Sequence, residues 1–408
     1  MGECETYQVP WAGIGERIAV YRRRRGLSQA ALAGLIGRSE SWLSQVERGI
    51  SSVDRLSVLL DIARILHVDV ESLIGRPWQL TSGGVVAQGL DAVRQVLTQY
   101  DHLVGEEAPN VPSLPELRTQ VATLHQDYQA ARYEMVVHQL PDLITLINGI
   151  PRIAADERRG SLCTYVSAYV GAAKLLTKFG VSDLAVLAAD RAATIAVEAD
   201  SLGARGMAAY QVVCAQLRDD RTDEAERLAV RMAETIQRSV TAQTPVLMSV
   251  AGALWLIAAV AAARRTDRAE AWARLDAAER LAELLGEDAN HAWTAFGPTN
   301  VRIHRVSVAA ELGDPGEALR VAVQVDSTRL AEGLRSRRAQ VSLDLAWAQA
   351  QRRRDAEATL HLLEAERAAP EVIRYNAMVS NLLREMHARA RRPNSVLHDL
   401  AVRAGVLV

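Results

Sequence analysis

Aromatic residues and cysteine are scarce: the 408 residues include two phenylalanines and three cysteines, and aromatics make up 4%. Cys4, Cys163 and Cys214 are scattered, which argues against a disulfide framework or a zinc site and fits a reducing cytoplasm. Lysine is almost missing. Lys174 and Lys178 are the only two among 47 basic residues, the rest being arginine. That bias reads as a GC-rich bacterial coding sequence, not as a functional signal. No excess of one charge is present either. The formal net charge is −2, so any nucleic-acid surface must be local. No basic-then-apolar leader opens the chain, so no secretory signal is expected. One apolar run, "VLMSVAGALWLIAAVAAA" from Val246 to Ala263, is long enough for a membrane span. It is rich in alanine and is followed at once by Arg264 and Arg265, so it reads as a buried helix and no membrane partner is expected. Enzyme signatures are missing as well. There is no phosphate-binding loop and no HExxH. Gly13 and Gly15 in "GIGER" follow no predicted strand, and the nine histidines lack metal-ligand spacing. Neither cofactor nor metal is expected, and the chain does not read as an enzyme.

What remains is rich in alanine, leucine and arginine, a composition that favours helices throughout. Residues 13–75 read as five short helices. Ile14, Ile18 and Tyr21 form one apolar stripe, and Gly26 ends that helix. Ser28 caps the second helix, with apolar Leu32, Leu35 and Ile36, and Gly37 breaks it. Ser39 caps a third, with Leu43 and Val46, which stops at Gly49. A fourth runs from about Val53 to Leu66 and a fifth from Asp69 to Ile74. Two short helices around a glycine-containing turn make a helix-turn-helix pattern.

The stretch "GLSQAALAGLIGRSESWLSQVERG" resembles the Xre-type, phage-repressor-like helix-turn-helix family at Arg22, Leu27, Ser28, Gln29, Leu32, Ala33, Ser39, Ser44, Glu47 and Gly49. The resemblance implies DNA binding by the third helix in a major groove. It implies that Gln29, opening the second helix, holds a backbone phosphate. Ser39, Glu40, Ser41, Ser44 and Gln45 lie on or near the reading face. Gln45 suits adenine, Ser41 and Ser44 are less selective, and Glu40 either accepts from a cytosine amino group or is a solvated first-turn acid. Trp42 is expected to wedge against the second helix. Arg38, Arg48 and Arg55 are the phosphate candidates. The family also implies an ion pair between Glu47 and Arg22, which would tie the third helix to the first. Between Ile14 and Ile50 there are seven arginines against three glutamates, a local excess that predicts salt-dependent binding.

Residues 76–113 read as a linker containing one helix, from about Val86 to Val104, between "RPWQLTSGG" and "GEEAPNVPSLP". Residues 114–392 repeat a helix pair around the turns "FGVSDLA", "RDDRTDEAERLA", "RRTDRAEAW", "LGDPGEALRVA" and "QRRRDAEATL", with "QAARYEMVVHQLPDLI" as an earlier unit. Ala185, Ala225, Ala269, Ala318 and Ala356 fall at matching places. The spacing of about 40 to 50 residues resembles a lengthened tetratricopeptide repeat, and HEAT-like pairs fit the spacing too. About six pairs would stack into a right-handed superhelix with a concave face, capped by a helix from about Val372 to Arg391. Residues 393–408 form a tail.

The expected architecture is therefore all-α: a five-helix phage-repressor-like DNA-binding head plus a tetratricopeptide-like α-solenoid. It resembles actinobacterial regulators of this plan and, more distantly, the peptide-pheromone receptors of Gram-positive bacteria. That resemblance implies a cytoplasmic homodimer on a pseudo-palindromic double-stranded DNA operator, with a signalling peptide or small molecule in the repeat face. The ligand candidates are Asn300, His304 and Arg305 on one helix, and Arg374 and Asn376 near the end, since asparagine can clamp a peptide backbone. Arg337, Arg338 and Asp344 read as inter-repeat pairs. The alternative is a protein-interaction scaffold.

Overall fold

The computed structural model describes residues 12–25, 27–51, 53, 56–66, 68, 70, 73, 85–100, 112–148, 155–389 and 395–407. Every regular element among them is a helix, and the chain divides into two compact units, Met1–Gly83 and Gly84–Val408.

The first unit contains α1 (Ala12–Arg24), α2 (Gln29–Leu35), α3 (Glu40–Glu47) and α4 (Leu56–Leu66). Its core gathers Ile14, Ile18, Leu32, Leu43, Val46, Ile62 and Leu66. Ser28 Oγ caps α2 by accepting from Ala31 N at 3.0 Å, and Ser39 Oγ caps α3 by accepting from Trp42 N at 3.2 Å. Gly37 (φ +66°) and Gly49 (φ +70°) end α2 and α3 in the left-handed conformation that glycine adopts without strain. Leu35, one of the apolar residues of the second helix, is 62% exposed, because α2 is so short that only Leu32 and Ala33 of its residues are buried. Most of the fifth helix expected over Asp69–Ile74 lies outside the described residues.

In the second unit, α5 (Val85–Leu97) is shorter than expected. It packs on α7 (Tyr133–Asn148) and α9 (Ser182–Glu198), so it belongs to the repeat body. Six helix pairs follow. They are α6 (Leu114–Gln129) with α7, α8 (Ala155–Lys178) with α9, α10 (Leu202–Arg218) with α11 (Thr222–Gln237), α12 (Pro245–Arg264) with α13 (Arg268–Leu285), α14 (Pro298–Glu311) with α15 (Pro315–Ala322), and α16 (Arg335–Gln351) with α17 (Asp355–Ala368). Each pair turns through three residues whose middle one is left-handed: Ala131, Gly180, Asp220, Thr266, Gly313 and Arg353. The helix five residues beyond then presents a small buried side chain in five of the six: Ala185, Ala225, Ala271, Ala318 and Ala358. Ala269 and Ala356, aligned with these from sequence, are exposed and lie two residues out of register.

The apolar run Val246–Ala263 forms most of α12, whose span-length window is 72% buried against α10, α11, α13 and α14. The expected capping helix is broken into α18 (Pro370–Arg374) and α19 (Ala377–Arg389), because Asn376 Oδ1 accepts from Met378 N at 3.0 Å and starts a new helix. Helix α20 (Ser395–Arg403) packs on α17 and α19.

The largest departure from expectation is closure. The first helices of successive pairs touch in order, α6 to α8 to α10 to α12 to α14 to α16, and α16 returns to α6. The open concave face is thereby replaced by a ring with an inner cavity. Glu134 at the start of α7 seals the join: its backbone N–H donates to Glu371 at 3.0 Å, and its carboxylate accepts from Arg374 at 3.1 Å and Tyr375 OH at 2.5 Å.

Candidate functional site

Two places could carry function, one in each unit. In the first, α3 has two faces. Leu43, Val46 and Glu47 point inward. Ser41, Gln45 and Arg48, on the i, i+4, i+7 pattern, are exposed beside exposed Glu40 and half-buried Ser44.

That polar face stands on a buried polar clamp. Arg22 Nε donates to Glu47 Oε1 at 2.6 Å and Arg22 Nη2 to Oε2 at 2.8 Å, while Arg22 Nη1 donates to the Leu27 carbonyl at 2.8 Å. Burial opposes ionisation of Glu47, but hydrogen bonds from Arg22 and Gln29 outweigh it and hold the carboxyl below its usual pKa. The same bond raises the pKa of Arg22. The Gln29 side chain, expected at a backbone phosphate, donates to Glu47 Oε2 at 2.7 Å. It completes the clamp, because a carboxylate has lone pairs left after binding one guanidinium.

Gly15 explains the rest of the packing. A Cβ there would lie 1.9 Å from the Val46 carbonyl oxygen, so α1 and α3 meet backbone to backbone. This is why "GIGER" needs its second glycine. Arg38 lies over the Trp42 ring, 5.5 Å from its centroid, and Arg48 Nε donates to Ser44 O at 3.2 Å. Both arginines are exposed, and Ser39 is taken up by capping. Arg55 lies outside the described residues.

The second place is the ring's cavity, about 370 Å³. Tyr128 and Gln129 of α6, Lys174, Thr177 and Lys178 of α8, and Tyr210, Gln211, Cys214 and Arg218 of α10 form one side. Ile257, Val260 and Arg264 of α12, Ser336 and Arg337 of α16, and Asn376 form the other. Helix α14 is missing from the wall. Trp293, Thr294 and Ala295 of the loop before it take that stretch, and Ala292, Trp293 and Ala295 of this loop are non-glycine residues at positive φ, 50°, 59° and 52°. Such a cluster is costly and persists only where contacts hold it. Here His125 stacks on Trp293 at 5.1 Å, Lys174 Nζ donates to the Trp293 carbonyl at 3.2 Å, and Gln129 and Asn290 exchange two hydrogen bonds of 2.9 and 2.8 Å.

The ligand candidates fare differently. Asn376 borders the cavity. Arg374 is engaged by Glu134 at the ring closure. Asn300 and His304 are buried away from the cavity, and His304 Nδ1 lies 2.9 Å from Asn300 O. Burial, aided by the charge of Arg337, pushes the His304 pKa down to about 3. Arg305 is bound by Asp276 at 2.8 Å and Glu279 at 2.7 Å and lies over Trp272. The strained loop displaces α14 from the wall, so the i, i+4 spacing of Asn300 and His304 marks a packing face. Sequence reading missed Lys174, Lys178, Tyr210 and Gln211. The scarcity of lysine was the available signal. Arg338 donates to the Leu330 carbonyl, and Asp344 accepts from Ser307 and, at 2.8 Å, from Gln340. Arg337 is not an inter-repeat ion pair, since it faces the cavity.

The first unit is a helix-turn-helix module in geometry. Residues 14–73 match the family model described as a helix-turn-helix domain. The chain is similar to the HTH-type transcriptional regulator SinR of Bacillus subtilis (strain 168), 34% identical over 61 residues, and equally to SinR of Bacillus licheniformis. Each match covers 15% of this chain and 55% of the relative, so it spans about half the length of those proteins. Among solved structures the chain is similar to Bacillus thuringiensis PlcR in complex with the peptide PapR7 and DNA. That match has 16% identity and a TM-score of 0.33, covering 67% of this chain and 96% of that one.

Proposed function

We propose that this chain is a sequence-specific DNA-binding transcriptional regulator, acting in the cytoplasm, whose repeat unit senses a ligand and brings two copies together. The observation that carries the reading is the exposed polar face of α3, Glu40, Ser41, Ser44 and Gln45, mounted on the buried Arg22–Glu47–Gln29 clamp. A helix held this rigidly by its inner face presents base-reading groups at fixed positions. SinR, similar over the same segment, is an HTH-type transcriptional regulator. Arg38 before α3, and Arg48 and Arg55 after it in sequence, are then the backbone-positioning groups, and Ser39 lies at the edge of the reading face as the cap of α3. Two copies would set their α3 helices about 34 Å apart on a pseudo-palindromic site. A ligand would act through unequal affinity for the DNA-competent and incompetent states.

The test is retention of the chain's own promoter DNA against scrambled duplex at fixed salt. Selective retention, lost in Gln45→Ala while the fold is kept, supports the regulator. Equal retention of both duplexes sinks it and favours a protein-interaction scaffold.

A further inference from the structure

The ring cavity has an unusual charge pattern. Cationic side chains enter it from α8, α10, α12 and α16, yet among the described residues no aspartate or glutamate borders it. Arg264 is neutralised by Glu311 at 2.6 Å. Lys174, Lys178 and Arg337 have no ion-pair partner among the described residues. Lys174 reaches only the Trp293 carbonyl, and Lys178 lies over the Tyr133 ring, 5.4 Å from its centroid. Like charges gathered in a low-dielectric enclosure are unfavourable unless something offsets them. Burial, with Arg337 adding to it, lowers both lysine pKa values to about 8.

A second observation is independent of charge. Gln211 is 1% exposed and borders the cavity, and its Nε2 donor has no hydrogen-bond partner among the described residues. Thr177 Oγ1, between the two lysines, is likewise unpartnered. Buried polar groups are rarely left this way in a fold that has no use for them. On α12, next to α10 in the ring, Val250, Ile257 and Val260 supply an apolar wall.

We propose that the cavity binds a small amphipathic organic anion, its acidic group held by Lys174, Lys178 and Arg337 and its apolar body lying against Ile257, Val260 and Trp293. The two lysines of an otherwise arginine-based sequence both face this cavity. Lysine is a compact ammonium with three rotatable donors, suited to meeting an acid as a point charge beside the Arg337 guanidinium. A volume of about 370 Å³ falls within the range for small-molecule sites and favours a small molecule over a long peptide. The proposal deepens the ligand-sensing part of the proposed function, and its test needs no DNA.

The experiment titrates the full chain with 8-anilinonaphthalene-1-sulfonate and, separately, with N-phenyl-1-naphthylamine, which keeps the aromatic body and lacks the sulfonate. The expected result is one sulfonate bound per chain, at least tenfold tighter than the amine. Lys174→Met with Lys178→Met, and separately Arg337→Met, should each weaken the sulfonate at least tenfold and leave the amine within twofold. Retained amine binding shows that the cavity is still folded. Sulfonate affinity should also fall between pH 7 and pH 9.5. Of the groups facing the lysines, Cys214 is raised by burial to about 12, Tyr128, Tyr133 and Tyr210 are raised by burial, His125 is pushed by burial well below its ordinary value, and arginine stays cationic in this range. Equal affinity for the two probes, unchanged sulfonate binding in the variants, or several sulfonates per chain would overturn the proposal. A chain that binds the sulfonate as expected but does not select promoter DNA keeps this inference and loses the regulator reading.

Discussion

Arg22 and Glu47, 25 residues apart, meet through two parallel N–H···O bonds of 2.6 and 2.8 Å with both side chains nearly out of solvent. Removing one partner strands the other's charge inside, a loss of roughly 3–5 kcal/mol for a buried pair. Glu47→Gln in the full chain should therefore reduce hydrogen-exchange protection of the α1 and α3 amides by about a hundredfold or more, with the repeat unit unaffected. Because the Glu47 pKa is lowered, its contribution is present above the unfolded carboxyl range and is lost as pH falls through the folded value. Unchanged protection in the variant at neutral pH would refute the clamp.

Gly15 makes the same interface close. A methyl group placed 1.9 Å from the Val46 carbonyl cannot be accommodated by side-chain rotation, since the obstacle is backbone. Gly15→Ala should push α1 from α3 and destabilise the first unit by about 1–3 kcal/mol, despite alanine's better helix propensity. Stabilisation on this substitution would show that the two helices are not in contact.

The first unit was legible because its signals are local. Ser28 and Ser39 cap, Gly37 and Gly49 turn, and Leu43 and Val46 mark the inner face within a few residues of one another. The Arg22–Glu47 pair and the phosphate role of Gln29 both come from family resemblance, while the Gln29 bond to Glu47, 18 residues away, is not legible from local spacing. Helix pairs in the second unit were legible from turn composition. Their register was not, since the acidic and basic turn residues around Ala269 and Ala356 offer several alignments and only the left-handed residue fixes one. Ring closure joins Glu134 to Tyr375, and the strained loop before α14 is held by Gln129 on Asn290, contacts over 241 and 161 residues, which periodicity cannot report. With closure unseen, the two lysines looked like a codon bias and Asn300 looked like a ligand contact.

The lysines should destabilise the empty protein. Their folded pKa of about 8 lies below the ordinary 10.5, so the unfolded chain binds more protons between those values and stability rises with pH across that window. At pH 7 the ammonium form of Lys174 opposes folding by up to about 3 kcal/mol. Lys174→Met should raise the melting temperature of the repeat unit at pH 7, with the difference shrinking as pH approaches 10.5. A melting temperature lowered by the substitution would mean that the bond from Lys174 to the Trp293 carbonyl outweighs the cost of burying the ammonium.

Asp344 carries the opposite sign. Burial raises its pKa to about 6 against the hydrogen bonds from Ser307 and Gln340. Its contribution is fully present below the unfolded value near 3.8 and is lost as pH rises through about 6. Asp344→Asn keeps an acceptor for Ser307 and should be more stable than the parent at pH 8 by at most about 3 kcal/mol, and no more stable at pH 4. Chemical denaturation at the two pH values measures the difference, and equal gains at both would contradict the assignment.

Ring closure can be tested through Cys214, which borders the cavity as a free thiol with its pKa pushed up to about 12 by burial. A thiol that is both neutral and enclosed reacts slowly with alkylating reagents. Glu134 holds the join through Arg374 and Tyr375, and Glu134→Ala removes both bonds and leaves Tyr375 OH without its acceptor. If the join keeps solvent from the cavity, this substitution should speed iodoacetamide labelling of Cys214 several-fold at pH 8, followed by site-resolved mass spectrometry. Cys163, on α8 and outside that cavity wall, serves as the internal reference and should label at an unchanged rate. Equal acceleration at both cysteines would indicate general loosening of the repeat unit, and no acceleration at Cys214 would mean that Glu134 does not gate the cavity.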